Sequence, residues 1–220
     1  MEQTRAPLVE RARRNGTALM AWQVGSVDDA KAAEDAGCDF VVVQGVEAGG
    51  HVYGTVQRDR LLAGAIEAVS IPVVAAGGIG TASDLAGVIA AGAAAARVGT
   101  RFVATVESSA HPDYVAALVA AASEDDTVLT TAFALGWPDA PHRVLRRCVD
   151  NATAHDGDVV GYVVQDGERH AVPRFAASPP TKQTEGDISA MALYAGTGVT
   201  SVTRMQSAGE VVAELVSDLT

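Results

Sequence analysis

Between residues 17 and 105, short apolar runs alternate with segments whose apolar positions recur at helical spacing. Consecutive parallel strands need a crossover long enough for a helix, so this alternation predicts a parallel sheet covered by helices. Continuous apolar runs such as Phe40–Val43 are typical of strands that are buried on both faces. The pattern predicts four βα units, with strands at Thr17–Val24, Asp39–Gln44, Ile71–Ala76 and Ala93–Val98.

The ends of the intervening helices are marked by capping residues. Ser26 is expected to cap the first helix and Gly37 to end it, while Thr81 or Ser83 caps the third helix and Gly92 follows it. The predicted helices are Val27–Ala36, Arg58–Val69 and Asp84–Ala91.

The pattern becomes weaker after Ser108. Helices are expected at Pro112–Ala122 and at Ser207–Leu219, where Ser207 and Glu210 form a capping-box pair. Residues 150–187 are rich in turn-forming residues, and we predict a loop there with Tyr162–Val164 as its only strand-like core. The expected organisation is one partial TIM-barrel domain over residues 1–220, with βα units in 1–105 and a helical and irregular extension in 106–220.

Composition and charge limit the function classes. The net charge of −11 opposes binding to nucleic acid or anionic lipid. Cys38 and Cys148 form no CxxC pair, so neither a disulfide framework nor a zinc site is indicated. A charged N-terminal segment and the absence of a long apolar run lead us to expect a cytoplasmic protein without a membrane span.

Glycine-rich strand ends are the candidate binding elements, because ligands of parallel βα folds gather at the carboxyl ends of strands. The first is the segment from Gln44 to His51, in which Gly49 and Gly50 allow close backbone approach and His51 can titrate near neutral pH. An ordinary turn with a surface histidine is the alternative interpretation. No metal site is predicted, and His142 and Arg143 are expected on polar, solvated surfaces.

Two further strand ends, Gly77-Gly78-Ile79-Gly80 and Gly99-Thr100, each precede a segment that can begin a helix. Backbone N–H groups at such positions can surround a phosphate, and a glycine leaves room for its oxygens. A tight turn explains either segment alone, but two such strand ends support each other as a phosphate site.

Three segments together resemble the nitronate monooxygenase family, formerly called 2-nitropropane dioxygenases: Gln44–His51, Ile71–Ile79 and Val98–Phe102. Flavin-dependent enoyl-acyl-carrier-protein reductases share these motifs. The resemblance implies flavin mononucleotide (FMN) as cofactor and His51 as the catalytic histidine. It also implies cofactor contacts from the following residues: Gln44, Gly49, Gly50, Gly77, Gly78, Arg97, Val98, Gly99 and Thr100. Arg97 stands where the family usually has Gln, which changes that contact.

The resemblance further implies that the four βα units are the C-terminal half of a (β/α)8 barrel, which in full occupies about 250 residues. Three explanations of the missing half stay open: a truncated start, a partner polypeptide, or a homodimer that closes the barrel. The implied activity is oxidation of alkyl nitronates with O2. The alternatives are enoyl thioester reduction, and a non-catalytic flavin-binding module or fragment.

Overall fold

The computed structural model of the protein describes residues 6–16 and 19–219. Eight helices are assigned in this part of the chain: α1 (Ala6–Arg14), α2 (Val27–Asp35), α3 (Arg58–Ala68), α4 (Ala82–Ala90), α5 (Thr100–Val103), α6 (Pro112–Val119), α7 (Arg146–Ala154) and α8 (Ala208–Leu215). The strands are β1 (Ala21–Val24), β2 (Phe40–Gln44), β3 (Gly50–His51), β4 (Val73–Ala76), β5 (Ala95–Arg97), β6 (Thr127–Thr130), β7 (His142–Leu145), β8 (Val159–Gln165), β9 (Glu168–Pro173) and β10 (Thr184–Gly186). Short 3-10 turns complete the secondary structure.

Four parallel strands form the main sheet in the order β1-β2-β4-β5. Helices α2, α3 and α4 are the crossovers, so the predicted α/β fold with four βα units is confirmed. The first strand is shorter than predicted, and Thr17 and Ala18 lie outside the described residues. The sheet is therefore an open arc of a βα barrel, with β1 and β5 as its two edges.

Helix ends follow the predicted capping chemistry. The Ser26 hydroxyl accepts a hydrogen bond from the Asp29 N–H at the start of α2. Thr81, rather than Ser83, caps α4 and forms a capping box with Asp84. These caps satisfy backbone N–H groups that a helix start otherwise leaves without an intrahelical partner.

One face of the main sheet is covered by an apolar cluster that includes residues from β2, α3 and α8. Helix α8 is held there by the buried Arg101 guanidinium, which donates to the Gly80 carbonyl at 2.7 Å and to Glu214 at 2.5 Å. In the part of the chain that the structure describes, no helix is both long and apolar enough to cross a membrane.

The described chain also contains two antiparallel sheets, ordered β3-β7-β6 and β10-β8-β9, whose strands other than β3 come from the second half of the chain. The prediction of a loop over 150–187 is wrong, because α7 ends inside this range and β8, β9 and β10 follow it. Strand β9 is mostly exposed and polar, so its sequence lacks the apolar alternation of a half-buried strand. A second apolar cluster, with Phe133 and Leu118 at its centre, supports these elements.

Candidate functional site

A cleft lies at the carboxyl ends of the four parallel strands. Its walls come from every strand of the main sheet and from the segment that precedes α8. The lining residues are Gln23, Gln44, Ala48, Gly49, Gly50, Ala76, Gly77, Gly78, Ile79, Arg97, Gly99, Thr100, Val103, Tyr194, Gly196 and Gly198. The three glycine-rich strand ends identified in the sequence therefore meet in one place.

Eight of the residues predicted to contact a cofactor line this cleft: Gln44, Gly49, Gly50, Gly77, Gly78, Arg97, Gly99 and Thr100. Val98 does not, because its side chain packs against the apolar cluster under the sheet. His51 lies beside the cleft, directly after Gly49 and Gly50.

Two parts of the cleft have the backbone geometry that a phosphate needs. Gly77 and Gly78 follow β4 with φ angles of 111° and 68°, which a residue with a side chain rarely adopts. A Cβ placed on Gly99 would meet no atom within 4 Å, so the space over this residue is open. Helix α5 starts at Thr100, and the N–H groups of a first helical turn have no intrahelical acceptor.

The far wall of the cleft is formed by close backbone contacts between distant glycines. A Cβ on Gly49 would lie 2.5 Å from the Gly196 nitrogen and 2.7 Å from the Ala195 carbonyl carbon. Likewise, a Cβ on Gly198 would lie 3.0 Å from the Gly78 oxygen. The Thr100 hydroxyl accepts a hydrogen bond from the Gly196 N–H at 3.0 Å. The cleft therefore needs glycine for packing as well as for ligand approach.

Arginine side chains border the cleft at two positions. Arg97 on β5 donates to the Gln23 side chain on β1 at 2.7 Å, so one hydrogen bond joins the two edge strands of the arc. Arg58 donates to the Gly77 carbonyl at 2.9 Å, and its N–H donates to the Glu47 carboxylate at 3.0 Å. Arg97 is exposed and brings positive charge to the cleft, whereas Arg58 holds the Gly77 turn in place.

Gln44 has a structural role that its sequence position did not reveal. Its side-chain nitrogen donates to the His51 carbonyl at 2.9 Å, and its side-chain oxygen accepts from the Tyr53 N–H at 3.1 Å. The buried amide thus fixes the backbone on both sides of Val52. This contact orients the His51 side chain relative to the cleft.

The His51 ring lies in a cluster of aromatic side chains. Its centroid is 4.3 Å from that of Trp137, with nearly parallel planes, and 5.7 Å from that of Tyr194. The His142 ring lies at 5.4 Å. His51 Nε2 is buried and has no hydrogen-bond partner among the described residues. Burial lowers the pKa of His51 below its ordinary value, and the nearby His142 lowers it further.

His142 is fully buried, so the expectation of polar surroundings for this residue is wrong. Its Nε2 accepts a hydrogen bond from the Phe133 N–H at 3.1 Å, and its Nδ1 lies 2.9 Å from the Ala140 carbonyl. Only the tautomer with a proton on Nδ1 satisfies both contacts. Because of these contacts, the ring is fixed in orientation beside His51.

Arg143 also departs from its predicted place on a solvated helix face. It lies on β7, where it donates to the Val46 carbonyl at 2.9 Å and to the Thr127 hydroxyl at 3.2 Å. Burial lowers the pKa of this guanidinium. The residue joins β6 and β7 to the loop that carries Gly49 and Gly50.

Tyr194 supplies a phenol to the same wall. Its hydroxyl donates to the Ala177 carbonyl at 2.6 Å, and its own carbonyl accepts a hydrogen bond from the Tyr114 hydroxyl. Burial raises the pKa of Tyr194 to about 12, so the phenol stays protonated at neutral pH. Both ends of this residue are therefore held in place.

The sequence interpretation missed the contribution of Trp137 and His142. For Trp137 the available signal was its place between Gly136 and Pro138 in a loop, because loops carry a large share of binding residues. Among residues 6–16 and 19–219, no group of three or more histidine, cysteine or acidic side chains is placed to hold a metal ion. The arrangement instead suits a phosphate-bearing organic cofactor with an imidazole at one side.

Comparison with known proteins identifies a family and several relatives. The family described as nitronate monooxygenase matches residues 2–218. A (3aS,4S,5R,7aS)-5-hydroxy-7a-methyl-1-oxo-octahydro-1H-indene-4-carboxyl-CoA dehydrogenase of Rhodococcus jostii is 40% identical over 140 residues, which cover 64% of this chain and 38% of the relative. A probable nitronate monooxygenase of Staphylococcus aureus is 30% identical over 188 residues, which cover 80% of this chain and 51% of the relative.

Two solved structures have the same fold over almost the whole chain. The nitroalkane oxidase from Streptomyces ansochromogenes superimposes with a TM-score of 0.73 at 34% identity and covers 97% of this chain and 60% of its own. FabK from Thermotoga maritima gives a TM-score of 0.72 at 28% identity, with coverage of 97% and 64%. In each comparison this chain spans less than two thirds of the relative's length.

Proposed function

The chain belongs to the nitronate monooxygenase family, and from this premise we propose that it is an FMN-dependent oxidoreductase that oxidises alkyl nitronates with O2. The observation that carries the proposal is the position of His51. Its unpartnered Nε2 lies beside a glycine-lined cleft, and burial keeps the imidazole neutral near neutral pH.

The cleft fits the proposed cofactor. Gly78, Gly99 and Thr100 would surround the phosphate with backbone N–H groups, and Arg97 would add a positive charge. The open space over Gly99 is the feature that a phosphate would fill. Bound there, FMN would supply the redox chemistry of the reaction.

His51 would act on the substrate through Nε2. A neutral imidazole can accept a proton at this atom or, in its other tautomer, donate a hydrogen bond to a nitro oxygen. The Gln44 contact to the His51 carbonyl and the adjacent His142 ring hold the imidazole in orientation. Tyr194 and Trp137 exclude water from one side of the ring.

Oxygen consumption by FMN-loaded protein in the presence of an alkyl nitronate tests the proposal. His51→Ala should retain FMN and lower turnover by about 100-fold or more, the usual contribution of a general acid or base. His155→Ala is the matched control, because His155 pairs with Asp187 in the second half of the chain and does not line the cleft. Undiminished nitronate oxidation by His51→Ala would refute the assigned role.

A second candidate function is oxidation of a coenzyme A thioester. It is favoured by the 40% identity to a carboxyl-CoA dehydrogenase over 140 residues. A neutral His51 suits removal of the acidic proton next to a thioester carbonyl, because a base must be unprotonated to accept it. An alkyl nitronate has already lost the corresponding proton, so toward that substrate His51 would serve as a hydrogen-bonding group. Reduction of an enoyl thioester with a nicotinamide donor is the reverse type of reaction and remains the third enzymatic candidate.

Three measurements on the same preparation distinguish the candidates. Oxygen uptake with a nitronate supports the first, anaerobic bleaching of bound flavin by an acyl thioester supports the second, and NAD(P)H oxidation driven by an enoyl thioester supports the third. Protein that neither contains nor takes up FMN would instead favour a non-catalytic role.

A further inference from the structure

One of the aromatic rings that pack against His51 is largely exposed to solvent. Three rings pack against the imidazole: those of Trp137, His142 and Tyr194. His142 is fully buried with both ring nitrogens in contact with backbone groups, and the Tyr194 hydroxyl is bonded to the Ala177 carbonyl. Two of the three rings are therefore fixed.

Trp137 differs from the other two rings. It is 58% exposed although its indole stacks on His51 at 4.3 Å, and its backbone N–H bonds only to the carbonyl of Ala134 in the same loop. The indole N–H has no acceptor in the part of the chain that the structure describes. An aromatic stack of this kind contributes little compared with a packed core residue, so the indole can leave the imidazole at low cost.

We propose that Trp137 is a displaceable cover over His51, and that an apolar ring of the substrate takes the place of its indole. His51 Nε2 is buried, so a reacting group can reach it only after a side chain packed around it moves, and Trp137 is the most exposed of the three rings. The volume that the Trp137 indole now occupies defines the ligand class. A slot that accepts an indole face against an imidazole accepts a flat or cyclic hydrocarbon group of similar size.

This inference rests on the proposed function, because uncovering His51 matters only if His51 acts in that reaction. The cover itself is tested without any turnover. Diethyl pyrocarbonate modifies neutral, accessible imidazoles, and peptide mapping reports each histidine separately. The reaction is run above the ordinary histidine pKa of about 6.5, so that protonation does not limit it.

Two other histidines calibrate the measurement. His170 is exposed and gives the rate for an accessible imidazole, while the fully buried His142 reports whether the protein stays folded. In the unaltered protein, His51 should react more slowly than His170. Trp137→Ala should raise the His51 rate relative to His170 by about tenfold, the equivalent of one lost aromatic stack, while His142 stays protected.

Leu135→Ala is the matched control, because Leu135 lies in the same loop, is 53% exposed and has no ring contact with His51. It should leave the His51 rate unchanged. If Trp137→Ala exposes His142 and is thus unfolded, Trp137→Leu replaces it, since leucine keeps apolar bulk but cannot stack. If the rate of His51 modification does not rise in a folded Trp137 variant, the proposal that Trp137 covers His51 is wrong.

Added indole tests the ligand class. In the Trp137→Ala protein, millimolar indole should restore protection of His51 while His170 continues to react at its former rate. If indole does not protect His51, the proposal that an apolar ring binds in place of Trp137 is wrong. Because neither experiment needs flavin or nitronate, these results stand apart from the outcome of the oxygen-consumption assay.

Discussion

The imidazoles of His51 and His142 face each other across the β3–β7 ladder, where the two residues are directly paired and their ring centroids lie 5.4 Å apart. One ring has both nitrogens bound to backbone groups, and the other has an unpartnered Nε2 beside the cleft. His142 is thus the fixed ring of the pair, and His51 is the ring with a nitrogen still available for hydrogen bonding. Several properties of the protein depend on this difference.

The first concerns pH. Burial lowers the pKa of His51 and the neighbouring His142 lowers it further, so the folded protein releases the His51 proton below the ordinary value of about 6.5. His51 should stay neutral to pH values below 6.5, so any activity that needs the neutral imidazole, measured as kcat/KM, should fall only at lower pH. An NMR titration of the His51 ring gives the same midpoint directly. A midpoint at or above 6.5 would contradict the prediction.

The same shift affects stability. The unfolded chain binds a proton at His51 at a higher pH than the folded chain does, so protonation favours unfolding. The stability contribution of neutral His51 is fully present above about pH 6.5 and decreases as the pH falls toward the folded-state pKa. His51→Gln should therefore show a shallower loss of stability in this acidic range, measured by urea unfolding at several pH values.

His142 should matter more for stability than for binding. Its replacement by alanine leaves the Phe133 N–H and the Ala140 carbonyl without their partner and creates a cavity in a fully buried position. His142→Ala should cost about 3 kcal/mol of unfolding free energy. His155→Ala, which removes partly exposed contacts to Asp187 and to the Val159 carbonyl, should cost less than about 1 kcal/mol. Equal losses for the two variants would argue against a supporting role for His142.

Two glycines of the cleft should respond differently to an added methyl group. Gly49→Ala places a Cβ 2.5 Å from the Gly196 nitrogen. Because the backbone must shift to make room, we expect the free energy of unfolding to fall by about 2 kcal/mol. Gly99→Ala meets no atom within 4 Å and should keep the stability of the unaltered protein. It should nevertheless weaken FMN binding, because the methyl group enters the proposed phosphate space. Fluorescence titration of FMN and thermal unfolding separate the two effects.

The cysteines should be unreactive while the protein is folded. Burial raises the pKa of Cys148 to about 12 and also raises that of Cys38, so neither thiol forms much thiolate at neutral pH. Both side chains are buried and unpaired. A thiol reagent such as Ellman's reagent should react with them only after denaturation. Rapid reaction of the native protein would show that one of the surrounding clusters opens readily.

The sequence was most informative where local signals and burial agree. The continuous apolar run of β2 and the caps at Ser26 and Thr81 depend on neighbouring residues, and each was found in the structure. The glycine-rich strand ends could also be brought together from the sequence alone. Parallel strands have their carboxyl ends on one edge of the sheet, so their loops must meet.

The missed features depend on contacts between distant residues. His142 lies between Pro141 and Arg143 in a polar stretch, and its complete burial follows only from pairing β7 with β3. The exposed polar residues of β9 carry no strand period, since this edge strand covers little of the core. Gln44 was correctly placed at a strand end, but its bonds to His51 and Tyr53 required the three-dimensional path of the loop.

The glycine-on-glycine contact between Gly49 and Gly196 also sets an order of assembly. The four parallel strands can pair through nearby crossovers, whereas this wall joins Gly49 to Gly196, which is far from it in the sequence. Closing so long a loop costs chain entropy before any contact compensates, and such contacts form late. A ribosome-bound chain that has not yet released Ala195 and Gly196 would hold a nearly complete sheet but no enclosed cleft.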